Sequence, residues 1–77
     1  MNYTIRGTDS VGVTHSPEGI YPSPAAARVA AQLYYERFGK GDIIMEYVEI
    51  LNSRGAVFDT YGIANLFAGG GYPKTPS

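Results

Sequence analysis

Apolar and polar positions alternate over Asn2–Arg6, with Tyr3 and Ile5 on one side and Thr4 and Arg6 on the other, the two-residue period of a half-buried strand. Gly7-Thr8-Asp9-Ser10 is turn chemistry, and Val11-Gly12-Val13-Thr14 reads as a second strand pairing back on the first, although Gly12 packs nothing and marks a bulge. Ser16-Pro17-Glu18-Gly19 predicts a β-turn, with proline pre-set at its second position and glycine at its fourth.

The period then changes to that of a helix, from Ser23-Pro24 through Phe38-Gly39. The Ser23 hydroxyl can cap a free backbone N–H, and Pro24 stands where its missing N–H costs nothing. Ala26, Val29, Ala30, Leu33 and Tyr34 recur at three- and four-residue spacing, which predicts a buried stripe with Arg28, Gln32, Tyr35 and Glu36 opposite it. The alanines permit a close approach to a sheet. Arg37 and Lys40 suit the negative end of the helix dipole, and Gly39 suits the C′ position.

Beyond Gly41-Asp42, Ile43 to Leu51 is a β-branched and apolar run. Strict alternation puts Ile44, Val48 and Ile50 on one face with Glu46, and Ile43, Met45, Tyr47 and Leu51 on the other with Glu49. Asn52-Ser53-Arg54-Gly55 predicts a hairpin loop, Gly55 taking a left-handed conformation, and Ala56 to Tyr61 returns as a strand. Ile63 to Phe67 fits a short helical turn. Leu66 and Phe67 either fold back onto the core, as so small a domain favours, or form an apolar patch. The expected assembly is α+β: a β(β)αββ two-layer domain over residues 1–68, one helix on a three- or four-stranded, mainly antiparallel sheet, followed by a glycine-rich flexible tail over 69–77. Were the first and third strands parallel neighbours, the helix would join them by a right-handed crossover.

Composition narrows the chemistry. The chain has 77 residues, enough for one domain, and its net charge of −1 is scattered, which speaks against a nonspecific nucleic-acid binder or an acidic mimic of one. It has no cysteine, so neither a disulfide framework nor a thiolate metal site is expected, and the compartment reads as cytoplasmic. No apolar run reaches the roughly 20 residues that span a bilayer, and Met1 to Thr14 lacks the regions of a signal peptide. His15, the only histidine, has no evident orienting partner and reads as a loop residue rather than a general base or ligand. Glu46 and Glu49, three apart on a strand, point to opposite faces and read as solvated charges. Gly69-Gly70-Gly71 lacks the helix, lysine and hydroxyl of a phosphate loop. No catalytic, cofactor or metal constellation is present, so no enzyme activity and no cofactor are expected.

The one excess is tyrosine, seven in the chain. Tyrosine offers large contact area at low entropic cost and is enriched in binding hot spots, yet it also builds strands and closes thin cores. Tyr34 is expected to point inward and Tyr35 outward. Arg28, Tyr35, Tyr47 and Arg54 are the expected partner-binding residues. By its short strand, alanine-rich helix and hairpin, the whole scaffold resembles the small phage-encoded anti-CRISPR inhibitor proteins, through architecture and composition and without a shared motif. That resemblance implies a stoichiometric blocker of a subunit of a bacterial defence (CRISPR) complex, inside a bacterial host cell. The alternatives are a small nucleic-acid-binding domain of double-stranded-RNA-binding type, for which the alanine-rich start of the helix lacks lysines, and an accessory oligomerisation protein, including a homodimer through an edge strand.

Overall fold

The computed structural model describes residues 2–38, 42–62 and Phe67; the expectations for Gly39, Lys40 and Gly41, for 63–66 and for 68–77, including Leu66 and the tail, lie outside the described residues. The elements are β1 (Thr4–Asp9), β2 (Thr14–His15), α1 (Pro24–Arg37), β3 (Met45–Leu51) and β4 (Val57–Tyr61). They form one helix packed on a four-stranded sheet of order β2-β1-β3-β4, antiparallel at every pairing. β1 and β3 are therefore antiparallel neighbours, not parallel ones. The parallel pair joined through α1 is β2 and β3, with β1 between them.

The first hairpin turns later than its glycines suggest. Gly7, Thr8 and Asp9 continue β1, and the chain reverses at Ser10–Gly12, where the Gly12 N–H donates to Asp9 O at 3.0 Å. Of the expected second strand only Thr14 joins β2, which continues into His15, opposite Thr8 and Gly7. Gly7 in mid-strand has a packing reason: a Cβ there would lie 2.7 Å from Met45 Sδ and 3.0 Å from Tyr34 Cε2. Residues 16–20 do not close a β-turn. They run as a strap with one bend at Glu18, toward an antiparallel bridge in which Tyr3 and Tyr21 exchange two 2.8 Å hydrogen bonds.

Two irregularities in the ladder decide which side chains reach the core. Thr8 pairs with Tyr47 but Asp9 with Met45, so Glu46 is extra; Ile50 pairs with Asp59 but Leu51 with Val57, so Phe58 is extra. One inserted residue reverses the alternation beyond it. Met45 thus joins Val48 and Ile50 beneath the helix instead of sharing a face with Tyr47, while Val57 turns out to solvent although Asp59 and Tyr61 face inward. Val48 and Ile50 are completely buried, each worth about 1.5–3 kcal/mol.

The N-terminus of α1 follows the sequence: Ser23 Oγ accepts from the Ala26 N–H at 3.2 Å, a cap worth about 1 kcal/mol, and Pro24 opens the first turn. The buried face does not. It is formed by Ala27 and Ala31, both fully covered, with Tyr34, Tyr35 and Phe38 against the same core, whereas Val29 is 50% and Leu33 40% exposed. The inward arc lies roughly a third of a turn from the predicted stripe. Two methyl-sized residues let the helix backbone settle over β3, and three aromatic rings along one side bury more area than Val29 and Leu33 would. Phe67 is buried and bridges Tyr61, ring centroids 4.7 Å apart, so this residue folds back as expected.

Candidate binding surface

The helix rotation sorts the side chains into two flanks. Toward β4, Arg28 Nε donates to Asp59 Oδ2 at 3.3 Å, and its guanidinium lies 5.2 Å above the Phe58 ring and 5.8 Å from that of Phe67. Tyr35 packs edge-on against Tyr61 at 5.3 Å, and its hydroxyl donates to Gly62 O at 3.4 Å. Both residues predicted for partner contact on this helix thus serve the interior, and Tyr35 points inward beside Tyr34 rather than away. Tyr47 is half-buried beside Ile44 and Glu46, and Arg54 is exposed in the β3–β4 loop, so the structure does not gather the four into one patch. In that loop Asn52 Oδ1 accepts from the N–H groups of Arg54 and Ala56, and Gly55 has the left-handed φ of 82° expected of it.

His15 has the partner that its sequence neighbours did not reveal. Asp9 Oδ2 lies 2.8 Å from His15 Nε2, while Asp9 Oδ1 accepts from the N–H groups of Val11 and Val13. The His15 hydrogen bond, aided by those two N–H donors and opposed by burial, holds the Asp9 carboxyl below its ordinary value of 3.8. The imidazole rests 5.0 Å from the Phe38 ring. Because Ser10 and Ile44 exchange hydrogen bonds at 2.8 and 3.2 Å, this clasp fastens the hairpin turn, the end of α1 and the start of β3 together. Among the described residues, His15 bonds to no hydroxyl that it could activate, and no three His, Asp or Glu side chains converge on a metal position. Glu49 accepts both Nε and Nη2 of Arg6 at 3.0 and 2.8 Å across the open face of the sheet, and Glu46 is exposed.

The other flank of α1 is different in character. Ala30, Leu33, Tyr34 and Arg37 form one wall of a groove; Pro17 and Tyr21 of the strap form the other, and buried Ile5 lies between them. The groove has a volume of about 300 Å³ and is lined mainly by carbon. The strap is fixed at Tyr21 by the bridge to Tyr3. It is also fixed in shape at Gly19, whose φ is 145° and where a Cβ would stand 2.8 Å from the Tyr21 hydroxyl. Leu33 is exposed on its wall; Val29, one turn earlier on the helix, and Ile20 of the strap are exposed as well, as are Val11, Val13, Ile44, Val57 and Phe58 elsewhere on the surface. Sequence reasoning placed Val29 and Leu33 in the core and so missed them as surface. The available signal was that the helix carries more apolar residues than one face can bury.

The class of molecule is thus a two-layer α+β domain with an apolar cleft beside its helix, and no helix among the described residues is long and apolar enough to cross a membrane. Compared with protein-family models, with curated proteins and with solved structures, the chain matches none.

Proposed function

We propose that this chain is a non-enzymatic protein-binding domain that engages its partner through the α1–strap groove. One observation carries the reading: a preformed apolar cleft between α1 and the strap whose own wall keeps Leu33 in solvent, although the domain is small enough to need every large apolar group inside. Interface hot spots cluster in desolvated pockets of this kind. The charge pattern favours a protein over a nucleic acid. Of the four described arginines, Arg6 and Arg28 are paired with Glu49 and Asp59, leaving little for a phosphate backbone. Association through a sheet edge is disfavoured on physical grounds, since β2 has two residues and β4 carries the Phe58 bulge and an inward-facing Asp59.

The narrower form of the proposal is a stoichiometric inhibitor of a bacterial defence complex, and it rests on the scaffold resemblance alone. Parallel captures from a bacterial lysate carrying an active CRISPR effector, with the wild-type chain and with Leu33→Asp as baits, test both levels. The expected result is a stoichiometric partner held by the wild type and lost by Leu33→Asp. A defence-complex subunit as that partner supports the inhibitor. A partner held equally by both baits, or retention on duplex nucleic acid at physiological salt, overturns the groove reading.

A further inference from the structure

Within that reading of the groove, the structure narrows what fits it. We infer that the occupant is a short protein segment that inserts one or two large apolar side chains and sets a carboxylate against Arg37. Three observations converge. The volume of about 300 Å³ suits a leucine or phenylalanine side chain with room to spare, and it is too small for a helix or strand to enter whole. Its lining offers carbon surface from Ile5, Pro17, Ala30 and Leu33 and ring surface from Tyr21 and Tyr34, so an apolar anchor gains contact without stranding a polar group. Arg37 is the sole charged residue of the lining. It is exposed in the last turn of α1, and among the described residues it makes no ion pair, in contrast to Arg6 and Arg28. A guanidinium at the lip of an apolar cleft selects for a carboxylate, since its planar fork binds one bidentately where water is partly excluded.

The occupant is thus an anchor with a negative neighbour, which sets a direction: the apolar side chain over Ile5, the acidic group toward the C-terminal end of α1. A segment with a basic neighbour would meet like charge at that end and be rejected.

The test is selection of random twelve-residue peptides displayed on phage against the wild type, Leu33→Asp and Arg37→Glu, each first shown by thermal melting to be folded. Both positions are exposed, so the variants keep the core intact. The expected outcome is a wild-type consensus of Leu or Phe beside Asp or Glu, its disappearance with Leu33→Asp, and a switch of the neighbour from acidic to Lys or Arg with Arg37→Glu. In solution, a consensus peptide should bind Arg37→Glu at least about tenfold more weakly than wild type, a difference of about 1.4 kcal/mol. Enrichment that depends on Leu33 but keeps an acidic neighbour with Arg37→Glu overturns this occupant and leaves the groove as a binding site. Enrichment indifferent to Leu33, or none, overturns both.

Discussion

A methyl group added at Gly7 tests the internal geometry most sharply, because it probes the bulge at Glu46 and the seating of the helix together. Built onto the backbone, that methyl lies 2.7 Å from Met45 Sδ, 2.8 Å from Met45 Cε and 3.0 Å from Tyr34 Cε2, all inside ordinary contact distance. Overpacking of this kind costs about 1–3 kcal/mol, and the reduced freedom of the unfolded chain returns about 0.4–1 kcal/mol. Gly7→Ala should therefore destabilise by about 1–2 kcal/mol, a fall in Tm of roughly 5–15 °C for a domain of this size. Met45→Val removes the two crowding atoms and should cost about 1–2 kcal/mol alone, between the usual losses for Ile→Val and Met→Ala. Combined, the new methyl occupies the vacated space. The double variant should be no worse than Met45→Val by itself, a favourable coupling of about 1.5 kcal/mol. Urea denaturation followed by circular dichroism on all four proteins measures it. Plain alternation from Val48 would place Met45 on the open face of the sheet, where it could not touch Gly7. Additivity within about 0.5 kcal/mol would therefore refute the bulge and the core derived from it.

Arg28→Met should lower stability by about 2–4 kcal/mol in thermal melts, since it weakens the support of a carboxylate with 1% of its side chain exposed. Adding Asp59→Leu should restore part of that loss, and a further fall would contradict the pairing. Tyr35→Phe should stay within about 1 kcal/mol of wild type, because its 3.4 Å hydrogen bond is long, whereas Tyr35→Ala, which removes the ring from Tyr61, should cost about 2–4 kcal/mol. Asp9 has its carboxyl pKa depressed in the folded state, so its contribution is present above the ordinary value of 3.8 and is lost as pH falls through the lower folded value. Hydrogen exchange of the Val11 and Val13 amides should accelerate relative to the rest of the sheet below about pH 4, and Asp9→Asn should abolish that acid dependence. Burial raises the Tyr34 and Tyr61 phenols, so stability held below about pH 10 should fall as pH rises past it, read as a late alkaline tyrosinate transition that coincides with unfolding.

What could be read from the sequence was what local chemistry decides. Ser23-Pro24 begins the helix, Asn52 to Gly55 turns the second hairpin, and the β-rich runs at Ile43 and Ala56 become adjacent antiparallel strands. What could not be read was decided by registry between distant segments. The extra residues Glu46 and Phe58 leave no local mark, yet they bring Met45 inside and turn Val57 out. The helix offered two competing faces, one of alanine with aromatics and one of Val29 and Leu33. Only the presence of Val48, Ile50 and Tyr61 opposite it selects the first. Arg28 and Tyr35 read as surface because charge and a hydroxyl look solvent-bound until an Asp59 or a Gly62 carbonyl is known to wait for them. The pairing of Asp9 with His15 was hidden for the same reason: it requires β1 to run through Gly7 and Thr8.

The separation between the two flanks of the helix has an evolutionary consequence. The aromatic flank carries the interior, so Leu33, Val29, Ile20 and Arg37 can each be exchanged without taking packing away from Val48 or Ile50. If the groove binds a partner as proposed, its recognition could drift on one side of this domain while the scaffold stays constant on the other. A lineage pressed to follow a changing target could vary those few positions quickly and still fold.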